Sequence, residues 1–295
     1  TNHQPPTQKH HIPMGKHAQL VIGPAGVGKS TYCNAMKMHC EERGRTVHVV
    51  NLDPAAETFA YTPTVDVREL VHAREVGSEL KLGPNGALLY CVEFLVNNLE
   101  WLEEKLGDYS DDYLIFDCPG QVELYTHVPL MARLGEALQR WDYAVCAVYL
   151  LDSHFVLEPA KFVSGSLSCL SAMLRLGLPH VSLLSKVDLL LRQPGAKKLL
   201  KRYLYQEPDL EYMLATLDQR TDRRFGRLNS AVCGLLLDYR MVSYLPLDLS
   251  SPDSLSIALS HIDNAVQYGD DVEVSDSLLG GDDDQDNLGA LLGGP

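Results

Sequence analysis

Short apolar runs alternate along the chain with stretches in which the apolar positions recur at helical spacing. The candidate strands are residues 17–22, 46–52, 113–117, 144–151, 181–185 and 241–245. Between them, Tyr32, Ala35, Met36, His39 and Cys40 follow i, i+3, i+4, i+7, i+8, and Leu95, Leu99, Leu102 and Leu106 follow i, i+4, i+7, i+11. Leu255, Leu259, Ile262 and Val266 repeat that spacing near the end, where Ser254 or Asp253 is placed to cap a helix. A strand–helix alternation of this kind predicts an α/β fold with a mostly parallel sheet flanked by helices. Residues 192–229, rich in charge and long side chains, predict a helical insertion at the sheet edge. No internal repeat and no linker interrupts the pattern before residue 269, which predicts one domain over 14–269.

The flanks differ in composition. Residues 1–13 are polar with His and Pro, unlike a secretory or transit signal, and are expected to be a disordered leader. Residues 270–295 carry eight acids and no Lys, Arg or His, so the expected disordered tail accounts for more than half of the net charge of −14. An acidic chain is poorly suited to gripping a nucleic-acid backbone directly, and no apolar run approaches the ~18 residues of a membrane helix. Seven scattered cysteines without a C-x-x-C predict buried thiols in a reducing compartment, with the cytoplasm as the default.

Candidate chemistry begins at Gly23-Pro24-Ala25-Gly26-Val27-Gly28-Lys29-Ser30, followed by Thr31. This is G-x-x-x-x-G-K-[ST] between a strand and a helix, the setting in which the motif is a phosphate loop. Glycines let backbone N–H groups turn inward around a phosphate, and the start of the next helix adds positive potential. Lys29 is expected at the β- and γ-oxygens and the Ser30 hydroxyl on Mg²⁺. In an open parallel sheet, ligands bind at the carboxyl ends of the strands, and two candidate strands end in acid there. One leads into Asp53-Pro54-Ala55, the other into Asp117-Cys118-Pro119-Gly120-Gln121. Mg²⁺ takes oxygen ligands, so Asp117 is expected to hold a metal-bound water. The Gly120 N–H faces the γ-phosphate in this reading, and Gln121 orients an attacking water. For Asp53 three roles stay open: orienting water, general base, or outer-sphere metal contact. The bland readings are a helix cap at Asp53 and a structural turn at Asp117.

A further run closes on Ser185-Lys186-Val187-Asp188. Guanine presents N1–H and N2–H₂ side by side, which one carboxylate accepts as a pair, and adenine has no such pair. Asp188 therefore selects guanine in this reading, with the Lys186 stem lying against the ring. The cofactors expected are GTP or GDP with Mg²⁺. The strand at 46–52, arriving directly after a Gly44 helix stop, is expected to be parallel and central to the sheet.

Taken together, the chain resembles the GPN-loop GTPases, whose naming tripeptide stands here as Gly83-Pro84-Asn85. The resemblance runs from Met14 to about Gly269. It rests on residues 23–31, Asn51 to Ala55, Gly83 to Gly86, Asp117 to Gln121 with Glu123 to His127 behind it, and Ser185 to Asp188. It implies a sheet of the signal-recognition-particle/MinD class and a nucleotide-bound dimer, homodimeric or formed with a paralogous GPN-loop GTPase. In that dimer Asn85 enters the partner's site and stabilises the transferring phosphate. Pro24 stands where MinD-like relatives carry an extra loop lysine, which leaves room for such a donor from outside. The resemblance also implies a role in assembly and nuclear import of RNA polymerase II, with its subunits as partners and shuttling to the nucleus. Two other readings remain in view. A P-loop kinase would pass the γ-phosphate to a nucleoside or polynucleotide, with Arg223, Arg224 and Arg227 as candidate lid residues. A binding module would hold nucleotide without turning it over alone.

Overall fold

Strand β1 (Lys16–Ile22) buries both of its faces: Ala18, Leu20 and Ile22 enter one apolar cluster and Val21 the other. A strand apolar on both sides belongs in the interior of a sheet covered on both faces, and that is its position. The computed structural model describes residues 15–109, 112–204, 210–238 and 243–268. Within them, seven strands form one all-parallel sheet in the order β3-β2-β4-β1-β5-β6-β7, where β2 is Val47–Asn51, β3 Val65–Asp66, β4 Tyr113–Asp117, β5 Tyr143–Asp152, β6 His180–Ser185 and β7 Tyr244–Pro246.

Twelve α-helices lie among the described residues. They are α1 (Lys29–Glu42), α2 (Ala73–Glu79), α3 (Pro84–Asn97), α4 (Leu99–Leu106), α5 (Glu123–Thr126), α6 (Leu130–Arg140), α7 (Pro159–Leu176), α8 (Val187–Leu190), α9 (Ala196–Leu204), α10 (Leu210–Arg220), α11 (Gly226–Asp238) and α12 (Pro252–Val266). Helices α1 and α12 cover one face with Tyr32, Met36, Leu255, Leu259 and Ile262. Helices α3 to α7 cover the other with Leu88, Leu95, Leu102, Leu134, Leu138 and Cys169. The insertion expected over 192–229 is helical, and α10 and α11 pack against α7. All seven cysteines are buried and free. Among the described residues no helix is long and apolar enough to cross a membrane.

Four expectations need correction. Strand β2 is parallel but not central, because the β1–α1–β2 crossover leaves a gap that β4 fills, so β1 holds the middle and β2 lies one place from the edge. The edge itself is β3, a two-residue strand too short to show an alternation. The leucine spacing through 95–106 crosses a break at Asn98 (φ −124°, ψ 43°), whose side-chain amide donates to the Phe94 carbonyl at 2.7 Å and ends α3. Helix α12 is capped by Ser251, whose hydroxyl accepts from the Ser254 N–H. Pro252 is fixed at the first helical position, so the cap falls one residue before it, while Ser254 is buried. The strand expected at 241–245 lies at Tyr244–Pro246, and Met241 and Val242 fall outside the described residues, as do the leader 1–13 and the tail 270–295.

Candidate functional site

The register of the sheet brings the motifs together. Asn51 on β2 is level with Asp117 on β4, and Asp117 with Val21 on β1, so the segments after all three strands emerge side by side. Backbone bonds from Leu52 N–H to the Asp117 carbonyl (2.9 Å) and from Cys118 N–H to the Val21 carbonyl (3.2 Å) hold them there. On the other side, Ile22 is level with Tyr149, and Asp152 at the end of β5 with Ser185 at the end of β6. The phosphate loop therefore has the two acids on one flank and the Ser185–Asp188 segment on the other.

A cleft of about 320 Å³ opens at this point, lined by Ala25, Gly26, Gly28, Lys29, Ser30, Thr31, Asp53, Ala56, Asp117, Cys118 and Gly120. Gly23 turns with φ 138°, and a Cβ there would lie 2.4 Å from the Leu150 carbonyl oxygen, so only glycine fits. A Cβ on Gly120 would lie 2.8 Å from the Ala25 Cα, which explains why the Asp117–Gln121 turn can touch the phosphate loop. With Gly26 and Gly28 also in the left-handed region, the loop forms the kind of concavity in which successive N–H groups receive an anion.

Lys29 is buried at the floor, its ammonium donating to the Gly23 and Pro24 carbonyls at 3.1 Å each. Burial lowers its pKa against the opposing pull of Asp117 and Asp53. Asp117 is 2% exposed and accepts hydrogen bonds from the Ser30 hydroxyl and from Tyr61, the latter at 2.7 Å. Burial raises its pKa, while those hydrogen bonds and Lys29 work the other way. Burial likewise raises the pKa of Asp53, opposed by the bond from the Ala55 N–H (2.9 Å). No helix starts behind Asp53, so that bond belongs to an Asx turn and not to a helix cap.

The Ser30 hydroxyl and the Asp53 and Asp117 carboxylates offer oxygen donors in the cleft. That fits a hard cation such as Mg²⁺, which keeps several waters and shares its remaining ligands with phosphate. The adjoining backbone concavity fits the phosphate itself.

On the opposite flank, the Ser185 hydroxyl donates to the Val27 carbonyl (2.8 Å) and to the Leu151 carbonyl (3.2 Å). Lys186, in the left-handed region at φ 60°, places its ammonium between the Gly26 carbonyl (2.6 Å) and Asp152 Oδ2 (2.7 Å). The Ser153 hydroxyl donates to the Lys186 carbonyl at 2.9 Å. Asp188 is half-buried at the start of α8, next to Val187, which is buried. The segment is thus fastened to the phosphate loop by side chains that bond to its carbonyls.

A match to a family model described as a conserved hypothetical ATP binding protein covers residues 21–268, from the end of β1 to the end of the described chain. The chain is 49% identical over 269 residues to GPN-loop GTPase 3 of Dictyostelium discoideum, covering 91% of this chain and 93% of that protein. It is 48% identical to GPN-loop GTPase 3 of Danio rerio over 89% of this chain and 92% of that one. The chain belongs to the GPN-loop GTPase family. Among solved structures, a GTPase of Pyrococcus abyssi in its apo form matches with a TM-score of 0.70 and 26% identity, covering 85% of this chain and 98% of that one.

In this family member the naming tripeptide forms the entry to α3: Gly83 is the extended residue before it, Pro84 occupies its first turn and Asn85 is exposed. Asn85 is not among the residues lining the 320 Å³ cleft. Gln121 is half-buried and lies beside Gly120, also outside that lining. Arg223, Arg224 and Arg227, which a kinase lid would use, are exposed on or just before α11 and do not line it either. Two residues of the site escaped the sequence reading. Asp152 carries a signal of the kind used for Asp53 and Asp117, an acid at a strand end, directly after the run 144–151. Tyr61 carries none, because it lies in an irregular segment and reaches Asp117 across 56 residues.

Proposed function

We propose that the chain binds GTP with Mg²⁺ in this cleft and hydrolyses its γ-phosphate, alternating between GTP- and GDP-bound forms. One observation carries the reading. The phosphate loop, the Ser30–Asp117 pair and Asp53 line a single cleft, and the loop is fastened through Lys186 to the segment that bears Asp188.

In this mechanism the N–H groups of residues 26–31 surround the β-phosphate, and Lys29 exchanges its loop carbonyls for phosphate oxygens. Ser30 and Asp117 would hold the cation, which would supply positive charge to offset that of the phosphate oxygens. Asp53 and Gln121 lie on the γ side, where one of them aligns the attacking water, and the Gly120 N–H supports the γ-phosphate. Asp188 accepts N1–H and N2–H₂ of guanine. Asn85 is exposed and does not line its own cleft, which is compatible with the role the resemblance implies: it serves the site of a second subunit, where its amide adds a hydrogen bond to the charge that develops in the transition state. Turnover then depends on a dimer, with a paralogous subunit or a second copy as partner. The family resemblance extends this to an assembly factor for RNA polymerase II that moves between cytoplasm and nucleus.

The decisive experiment compares phosphate release from GTP and from ATP, with and without Mg²⁺. Mg²⁺-dependent release with a clear preference for GTP is expected, and equal rates with the two nucleotides overturn the reading.

A further inference from the structure

Asp53 stands on a segment without regular structure, yet the cleft requires its carboxylate in a fixed place. Of the residues that hold it, Asn51 opens the Asn51–Ala55 motif, whereas Asp66 and Arg68 lie outside every motif named above. Asn51, the last residue of β2, is 0% exposed and uses both ends of its amide. Its Oδ1 accepts from the Asp53 N–H (3.0 Å), and its Nδ2 donates to the Asp53 carbonyl (3.1 Å) and to Asp66 Oδ1 (2.9 Å). Asp66 is delivered by the two-residue strand β3, whose pairing sets Asp66 level with Asn51.

Arg68 completes the arrangement. Its Nε donates to both Asp66 oxygens (3.1 and 2.9 Å), and its Nη2 donates to Asp66 Oδ2 at 2.6 Å. Its Nη1 crosses to the Ala56 carbonyl at 3.0 Å, and the guanidinium lies 4.6 Å from the centre of the Phe59 ring. Burial works against the charge of Asp66, but the bonds from Arg68 and Asn51 outweigh it and hold the carboxyl below the ordinary carboxylate range. The Ala73 N–H also reaches the Pro54 carbonyl at 3.1 Å. Residues 53–59 are thus fastened to 66–73 by a chain of bonds whose centre is one planar five-donor fork.

We propose that Arg68, acting through Asp66 and Asn51, is a positioning residue that fixes Asp53 for hydrolysis. It touches neither nucleotide nor metal in this account. The inference rests on the role given to Asp53 above. A lysine at 68 keeps the charge but lacks the planar fork, so it reaches Asp66 or Ala56 and not both in the same geometry. Misplacing a reacting group by about 1 Å costs on the order of a hundredfold in rate. Arg68→Lys is therefore expected to lower kcat by about 10- to 100-fold while KM for GTP changes less than about threefold. In an Asp53→Asn background the same substitution is expected to lower kcat no further, because residues that act as a unit are not additive.

The test measures kcat and KM for the wild type, Arg68→Lys, Asp53→Asn and the double variant, with Asp66→Asn as a second way to break the brace. It is paired with amide hydrogen exchange over residues 53–59 in the nucleotide-free protein. Faster exchange in Arg68→Lys with a lower kcat that vanishes as an effect in the Asp53→Asn background supports the proposal. Unchanged exchange overturns it. So does an equal fold-loss of kcat in both backgrounds, or a loss confined to KM. A wild type inert towards GTP would instead defeat the proposed hydrolysis, and the exchange measurement would still decide whether Arg68 holds the 53–59 segment.

Discussion

The two flanks of the phosphate loop are built in different ways. On the β5–β6 side, a motif residue bonds to loop backbone: Ser185 to Val27 and Lys186 to Gly26, with Asp152 steadying the ammonium. On the β4–β2 side, side chains bond to other side chains or to backbone in their own loop. Tyr61 meets Asp117, and Arg68, Asp66 and Asn51 form a series that ends on Asp53. The first flank is clipped to the phosphate loop itself, and the second is braced within its own segment as a strut. In the proposed function the first flank holds the planar base and the second faces the phosphate that leaves.

Breaking the shared floor has the largest expected effect. Lys29→Ala removes two charge-assisted contacts at about 2 kcal/mol each, so triphosphate affinity falls roughly a thousandfold by fluorescence titration. Retained tight binding would remove the loop from the account. Asn85→Ala, which tests the donor proposed to come from a second subunit, leaves affinity intact and cuts turnover by about a hundredfold or more, the usual loss on removing a transition-state donor. Mixing it with Lys29→Ala subunits, which keep Asn85, restores part of the rate. Normal turnover of Asn85→Ala alone would end the in-trans role.

On the clip side, Asp188→Asn swaps an acceptor for a donor. The ratio of guanine to xanthine nucleotide affinity then shifts by about a hundredfold, two hydrogen bonds' worth, and an unchanged ratio would leave the base reader unidentified. Asp152→Ala loosens Lys186 and lowers affinity for GTP and ATP analogues alike by roughly fivefold. A change in the GTP/ATP ratio would show that Asp152 acts on the base and not on the loop. The smallest effect belongs to Tyr61→Phe, which removes one hydrogen bond to Asp117 and raises the Mg²⁺ concentration needed for half-maximal Mn²⁺ displacement by about threefold. No change there would place Tyr61 in packing alone.

The same contrast decides what the sequence could reveal. Gly23, Gly120 and Lys29 are legible because a backbone turn and a close approach leave few residue types able to fill those positions. Ser185 to Asp188 is legible because it ends an apolar strand downstream of that loop. Five of the longer strands are legible as apolar runs to within about one residue of their ends, since each is buried on a covered sheet, whereas β7 lies at Tyr244–Pro246 and only overlaps the run expected at 241–245. The edge strand Val65–Asp66 is too short to show a period, and its value lies in delivering Asp66 to Asn51. Tyr61, Asp66 and Arg68 sit in irregular chain and meet their partners through tertiary contacts, so no spacing announces them. The break at Asn98 was hidden because the apolar face continues across it, and the central place of β1 because strand order depends on which crossover arrives later.

The central claim is that one cleft receives the phosphates between Lys29, Asp53 and Asp117 while Asp188 holds the base. A crystal grown with a non-hydrolysable GTP analogue and Mg²⁺ tests it most directly. The account predicts the β-phosphate within the loop of residues 23–31, Ser30 on the metal and both Asp188 oxygens paired with guanine. Nucleotide density elsewhere, or a base turned away from Asp188, would contradict it.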